Sequence, residues 1–329
     1  MAIVLGVTMG DPAGIGPEVV LKALQGMPAH CRTVVLGDLA VLQEMATRLG
    51  SALVPYAWQV GEPYPNSRLD LPVLILSQLK PQERIPGRPS PSGGAASYRY
   101  VETGVRLALD NTPDGLDGLV TAPISKAMWH AAGHHYPGHT ELLAALTETR
   151  DVRMMLVGKQ LRVILVTTHM PLAQVPQTLS CERVERTIVL AAAHLSRFHG
   201  LTNPRLAVAG LNPHAGEAGA FGDEEQRVIQ PAVERARTRG LRAEGPFSAD
   251  TVFVRALNGE FDGVICQYHD QGLIPLKLLA WEDGVNVTLG LPIVRTSPDH
   301  GTAFDIAGQN KASSRSMQAA LTLAVEMAQ

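Results

Sequence analysis

Gly263-Val-Ile-Cys266, with the residues that follow it, Tyr268-His269-Asp270-Gln271-Gly272, decides how this chain is read. A short apolar run ended by a polar, glycine-bearing segment reads as a buried strand and the loop at its carboxyl end. The pattern occurs twice more. Leu161–Thr167 runs into Thr168-His169-Met170-Pro171, and Leu206–Leu211 runs into Asn212-Pro213-His214-Ala215-Gly216. In open α/β sheets, ligands bind beyond the carboxyl ends of the strands. His169, His214 and His269 are therefore candidate neighbours, and three neutral imidazoles form a donor set for a divalent transition metal. Their spacing matches no local metal motif, so three unrelated loop histidines account for the sequence as well.

Outward from these loops, strand-length apolar runs fall at 2–8, 33–37, 73–76, 117–121, 161–167, 205–211, 262–267 and 285–288. Helical patterns fall at 17–25, 38–49, 93–110, 124–132, 139–147, 180–198, 223–239, 249–258 and 313–328. Strands alternating with helices predict an α/β fold, a mostly parallel or mixed sheet with helices on both faces. Residues 77–92 and 133–138, rich in Pro, Gly and Ser or His, read as loops. A chain of 329 residues suffices for two domains or one large one. A fold of that size buries roughly 75% of its unfolded surface and needs no staples.

The apolar fraction is 45%, the charged fraction 18% and the net charge −3, with no basic block, so nucleic acid is not an expected partner. Cys31, Cys181 and Cys266 are scattered, without a CxxC pair, which fits a reducing cytosol rather than a disulfide framework. The start lacks the basic region of a signal peptide, and no apolar stretch has the ~20 residues that span a membrane. A cytoplasmic location is expected.

Gly10-Asp-Pro-Ala-Gly-Ile-Gly-Pro-Glu18 follows the first strand and opens a helix, with Pro17 in the first turn. It is neither GxGxxG nor a P-loop, and Asp11 would repel a phosphate held there, so it reads as a structural turn or as one that points Asp11 at a cleft. Thr121-Ala-Pro-Ile-Ser-Lys126 follows another strand. His139 and Thr140, in Pro137-Gly-His-Thr-Glu141, stand at a helix N-terminus, where they either cap it or bind an anion such as a phosphate monoester. Asp223-Glu224-Glu225 reads as the acidic start of a helix and is assigned no chemistry. Lys277, Asn286 and Arg295 are surface residues in one reading. In another, they supply a point charge, an amide and a bidentate fork for a phosphorylated acid.

Taken together, Met9–Glu18, Pro137–Glu141, Asn212–Glu217, Tyr268–Gly272, Gly284-Val-Asn-Val-Thr288 and Arg295-Thr-Ser-Pro-Asp-His-Gly-Thr302 resemble the 4-hydroxythreonine-4-phosphate dehydrogenases of pyridoxal phosphate biosynthesis. Gly138–Leu143 and Ile274–Leu279 look more like the D-threonate/D-erythronate 4-phosphate branch of that family. The resemblance implies two α/β/α domains around a cleft, like isocitrate and isopropylmalate dehydrogenases. The expected division is 1–125, completed by 300–329, against 126–299. It implies a homodimer with sites shared between protomers, and NAD (or NADP) bound without a Rossmann fingerprint. One divalent metal, Zn, Mg or Co, would be held by His169, His214 and His269, the last supplied by the partner protomer. His139, Thr140, Asp250, Asp270, Lys277, Asn286 and Arg295 would bind the substrate, and Asp299, His300, Gly301 and Thr302 would meet the cofactor.

The expected reaction is oxidation and decarboxylation of a 4-phosphorylated 3-hydroxy acid, foremost 4-phosphohydroxy-L-threonine to 3-amino-2-oxopropyl phosphate. No residue stands out as its general base. D-threonate or D-erythronate 4-phosphate is the alternative substrate. Readings from other classes are a metal-dependent hydrolase, weakened by the absence of HExxH and GxSxG, and a non-enzymatic anion-binding protein.

Overall fold

The first apolar run becomes strand β1, Ile3–Thr8, whose Leu5 and Val7 are fully buried. The structure is a computed structural model that describes residues 2–28 and 30–329. The chain packs as two units, Met1–Arg150 with Leu291–Gln329, and Asp151–Gly290.

The first unit holds six parallel strands in the order β3-β4-β2-β1-β5-β12. Numbered along the chain, these are β1, β2 (Cys31–Gly37), β3 (Val54–Trp58), β4 (Asp70–Ile75), β5 (Gly118–Thr121) and β12 (Arg295–Pro298). Its helices are α1 (Gly16–Leu24), α2 (Leu39–Leu49), α3 (Pro91–Ala108), α4 (Lys126–Ala131), α5 (His139–Leu146) and α11 (Arg315–Met327). Asp38 starts α2 by accepting the Ala40 and Val41 N–H groups. β1 lies between β2 and β5, so the strand order changes direction beside it, which is where an open α/β sheet leaves room for a ligand.

The second unit holds β11 (Val285–Leu289), β6 (Arg153–Gly158), β7 (Leu161–Leu165), β10 (Gly263–Cys266), β8 (Leu206–Ala209) and β9 (Ala243–Phe247), in that order. β6 runs antiparallel to β11 and β7; β7, β10, β8 and β9 are parallel. Its helices are α6 (Val175–Thr178), α7 (Cys181–Phe198), α8 (Gln230–Thr238), α9 (Val252–Leu257) and α10 (His269–Ala280). Leu165, Ala207, Val264, Cys266, Leu273 and Leu276 share its core. Among the described residues, no helix is long and apolar enough to cross a membrane.

Several features depart from the sequence expectations. The segment Tyr268–Gly272, read as the loop after a strand, instead opens helix α10 at His269. Gly272 lets the helix lie on the sheet, since a Cβ there would meet Cys266 Sγ and Leu165 Cδ2 at 3.1 Å. The unpredicted strands β3 and β9 contain Pro55 and Pro246, tolerated because both strands are edges of their units' strand orders. β12 is polar, Arg-Thr-Ser-Pro, yet all four residues are buried. Because β12 pairs with β5, and α4 packs on α3, residues 126–150 and 291–299 belong with the first unit, not with the second as expected.

Candidate active site

In the second unit, two of the three loop histidines meet. β7 and β10 are adjacent and parallel, so the segments beyond their carboxyl ends are adjacent too. Thr167 Oγ1 ties them by donating to Gln267 O at 2.7 Å. The His169 and His269 ring centroids lie 5.5 Å apart. His269 is the first residue of α10, and its Nδ1 lies 2.7 Å from Asp270 Oδ1. A carboxylate there favours the proton on Nδ1 and leaves Nε2 as a lone-pair donor. Both imidazoles line a cavity of about 420 Å³ whose other wall is apolar, with Met170, Pro171, Leu172 and Val175. Buried Gln267 and Gln271 tie this segment to the end of β8: Gln271 Oε1 accepts the Gln267 N–H at 2.6 Å, and their amides donate to Ala209 O and Gly210 O.

His214 follows β8 on a different kind of backbone. His214, Ala215, Gly216, Glu217 and Ala218 all have φ between 42° and 80°, a left-handed turn with four non-glycine residues. Left-handed helical geometry costs roughly 1–2 kcal/mol per ordinary residue and persists only where the surroundings impose it. Here Glu225 imposes it. Its buried carboxylate accepts the Leu211 and Asn212 N–H groups at 2.7 and 2.8 Å and the Asn212 side-chain amide at 2.9 Å. Glu225, expected only to complement a helix dipole, therefore anchors the His214 loop. The exposed His214 ring lies 6.2 Å from Phe221. Among the described residues, no group of three or more His, Cys, Asp or Glu side chains is arranged to hold a metal. One chain thus brings His169 and His269 together without His214.

The other second-unit candidates stand apart from this cavity. Asp250 is exposed and accepts from Ser248 Oγ at 2.6 Å. Lys277 lies over the Trp281 ring at 5.3 Å. Asn286, on β11, carries a buried Oδ1 without a hydrogen-bond partner.

In the first unit, the carboxyl ends of β5 and β12 and the start of α5 enclose a cavity of about 200 Å³. Arg295, on β12 and 2% exposed, donates from Nη2 to Thr121 Oγ1 at 2.6 Å. Burial pulls its pKa down to about 9, which leaves it cationic at neutral pH. His139 opens α5, with Thr140 beside it, and its Nε2 is buried without a partner. Burial first, then the Arg295 and Lys126 cations, hold the His139 imidazole well below its ordinary pKa, so it is neutral at pH 7. His300 and Gly301 line the same cavity. Asp299 is fixed through its N–H to Ser316 Oγ at 3.1 Å, and Thr302 O accepts the Ile15 N–H at 2.9 Å. The glycine-rich turn after β1 thus packs on the Asp299–Thr302 loop. In that turn, Asp11 is fully buried, with one oxygen unpartnered, and burial pushes its pKa up to about 6.

Lys126, Glu225, Gln267 and Gln271 were not singled out from sequence for these roles. Glu225 and the glutamines act on loops distant in sequence or through backbone groups, and neither relation leaves a periodic signal.

These features define an α/β enzyme class in which loops at strand carboxyl ends carry an imidazole pair in one unit and a cationic pocket in the other. The comparisons with known proteins narrow the class. Residues 29–324 match the family described as "Pyridoxal phosphate biosynthetic protein PdxA". The 4-hydroxythreonine-4-phosphate dehydrogenase of Geobacter metallireducens is 49% identical over 98% of this chain and 94% of its own. The D-threonate 4-phosphate dehydrogenase of Salmonella typhimurium is 45% identical over 98% of both. The crystal structure of 4-hydroxythreonine-4-phosphate dehydrogenase from Klebsiella pneumoniae superimposes with a TM-score of 0.90 at 43% identity, covering 99% of this chain and 100% of that one. The chain belongs to the PdxA family.

Proposed function

We propose that this chain is a metal-dependent dehydrogenase that uses NAD (or NADP) to oxidise and decarboxylate a 4-phosphorylated 3-hydroxy acid. The first candidate substrate is 4-phosphohydroxy-L-threonine, giving 3-amino-2-oxopropyl phosphate. The observation that carries the reading is the His169–His269 pair with Asp270 on Nδ1 of the second ring. It fits two corners of a divalent-cation site, and neutral imidazoles suit Zn or Co better than Mg, which prefers oxygen. We assign the third corner to His214 of a second protomer, in a homodimer whose metal sites are shared; the proximity of His169 and His269 within one chain favours this over the expectation that His269 is the partner-supplied ligand.

A divalent cation, when bound, supplies Lewis acidity toward a hydroxyl oxygen and toward the charge left as carbon dioxide departs, and the nicotinamide accepts the hydride. The chain's own residues do the rest. Asp270 keeps the His269 tautomer that offers Nε2. Met170, Leu172 and Val175 keep one wall of that cavity apolar and limit water. Arg295 and neutral His139 offer charge-assisted and neutral hydrogen bonds to a phosphate, a remote handle whose binding energy positions the reacting end. Lys277 and Asn286 are assigned to the substrate, and the Asp299–Thr302 loop to the cofactor. The D-threonate/D-erythronate 4-phosphate reading is favoured by the Gly138–Leu143 and Ile274–Leu279 stretches and by the 45% identity to a relative of that name.

A substrate panel followed at the NADH absorbance band tests both. Turnover with 4-phosphohydroxy-L-threonine, D-threonate 4-phosphate or D-erythronate 4-phosphate, abolished by chelation, is expected, and the best kcat/KM names the substrate. Release of phosphate without NADH would contradict the reading and make the chain a hydrolase.

A further inference from the structure

We propose that Lys126 is a phosphate-binding, specificity-determining residue, its ammonium joining His139 and Arg295 to hold the phosphate monoester end of the substrate. The inference rests on the reading of the chain as acting on a phosphorylated acid. Lys126 is the first residue of α4, fixed there because Ser125 Oγ caps the helix by accepting the Met128 N–H at 3.3 Å. It lines the cavity that also holds His139, Thr121 and Gly301. Its stem lies against Gly138, where α5 begins: a Cβ on Gly138 would sit 3.4 Å from Lys126 Cε and 3.8 Å from Nζ.

The arrangement concentrates positive charge. A cation in the first turn of a helix opposes the helix dipole, and this one also lies beside the amino end of α5. Its field and that of buried Arg295 both act on the His139 ring. Among the described residues, Lys126 forms no ion pair. Glu141 also borders Gly138, with Oε2 3.5 Å from the same Cβ position, without pairing with Lys126. The Lys126 ammonium, an imidazole with a buried unpartnered Nε2 and the Thr121 hydroxyl around a small cavity, with Arg295 bonded to that hydroxyl from behind, suit a group with several acceptor oxygens and nearly two charges, which is a phosphate monoester rather than a single carboxylate.

The test uses K126Q and K126R beside wild type, with the best phosphorylated acid from the panel and with inorganic phosphate as the probe. K126Q should raise KM roughly 10- to 100-fold, the equivalent of one lost charge-assisted bond, with kcat within about threefold of wild type. K126R should recover most of the loss, and the inhibition constant of inorganic phosphate should rise in parallel with KM. Unchanged KM and phosphate inhibition in K126Q, or a loss confined to kcat, would overturn the assignment. A phosphate-induced rise in Tm, measured without turnover, separates the two claims. Should wild type oxidise no phosphorylated acid, the proposed reaction falls. Lys126 still stands as a phosphate ligand if phosphate stabilises wild type and not K126Q, and falls if it stabilises both equally. A K126Q chain that does not fold is replaced by K126M in the same measurements.

Discussion

Arg295 is 2% exposed on a strand, hydrogen-bonded to a residue of the neighbouring strand, and His139 is locked at a helix start against Trp129. His169, by contrast, is exposed in a loop, His269 is partly exposed at the head of α10, and His214 hangs on a left-handed turn. The first-unit pocket is part of the fold: its side chains are set by the packing that makes β5, β12 and α5. The second-unit histidines are held by a few polar contacts and stand outside the core. A phosphate handle gains from rigid, buried donors, because binding energy is then not spent on ordering them. Metal ligands can be looser, because the bound ion itself orders them. Substitutions in the two regions should therefore fail differently.

The largest effect is expected in the looser region. His169→Ala and His269→Ala should each lower kcat by roughly 10³-fold or more, because a Lewis acid worth several kcal/mol is lost. Neither side chain packs in the core, so unfolding by denaturant should shift by no more than about 0.5 kcal/mol. Steady-state kinetics beside a urea titration check both statements; a large loss of stability with modest loss of turnover would reverse the contrast.

Arg295→Met should do the opposite. Losing its charged hydrogen bonds should weaken substrate binding by about 2–3 kcal/mol, seen mainly in KM, and the altered strand should cost measurable stability. A substrate analogue without the phosphate should be indifferent to the change, and an equal loss with both compounds would place Arg295 elsewhere in the reaction.

Glu225→Gln sharpens the comparison from inside the looser region. Replacing one acceptor oxygen by an NH₂ group disturbs the three bonds that hold the left-handed turn. Metal affinity should fall roughly 10- to 100-fold, as when an outer-shell partner is removed. Equilibrium dialysis against Co(II) reads this directly. Unchanged affinity would mean that His214 does not contribute to the metal site.

The smallest effect at neutral pH concerns His194, in α7 and remote from both pockets. Burial drives its pKa down to about 3, helped by His199 and then Arg197, and drives that of His199 to about 4, helped by Arg162. The folded chain keeps both rings neutral, whereas the unfolded chain protonates them below its ordinary pKa of 6.5. Their stabilising contribution is therefore complete above pH 7 and is lost as pH falls from 6.5 toward 4. Asp11 works the other way, because its raised pKa means that the folded chain takes up a proton between about 6 and its ordinary 3.8. The two imidazoles outweigh it. His194→Leu should leave activity at pH 7.5 unchanged and remove about 2–3 kcal/mol of acid destabilisation over the two pH units below 6.5. Denaturant titrations at several pH values decide; parallel curves for variant and wild type would reject the assignment.

What could be read in the sequence follows the same divide. The apolar runs of β1, β7, β8 and β10 announce themselves, and with them the loops carrying His169, His214 and His269. β12 does not, because its burial comes from packing on β5 and α11 rather than from apolar residues of its own, so periodicity left Arg295 open between a surface residue and a phosphate ligand. α10 was hidden because its first turn directly follows β10 and carries Gly272, whose lack of a side chain allows close packing on Cys266 and Leu165. Glu225 looked like ordinary helix acid because its partners are backbone N–H groups of a loop that only the fold brings near.

The most direct test is metal stoichiometry. Purified chains would be stripped with chelator, equilibrated with limiting Co(II), and assayed for bound metal and for the visible spectrum of imidazole-ligated cobalt. The account predicts one ion per wild-type chain, loss of that ion in His169→Ala and in His269→Ala, and full retention in Arg295→Met. Full retention of the ion and its spectrum in both histidine variants would contradict it.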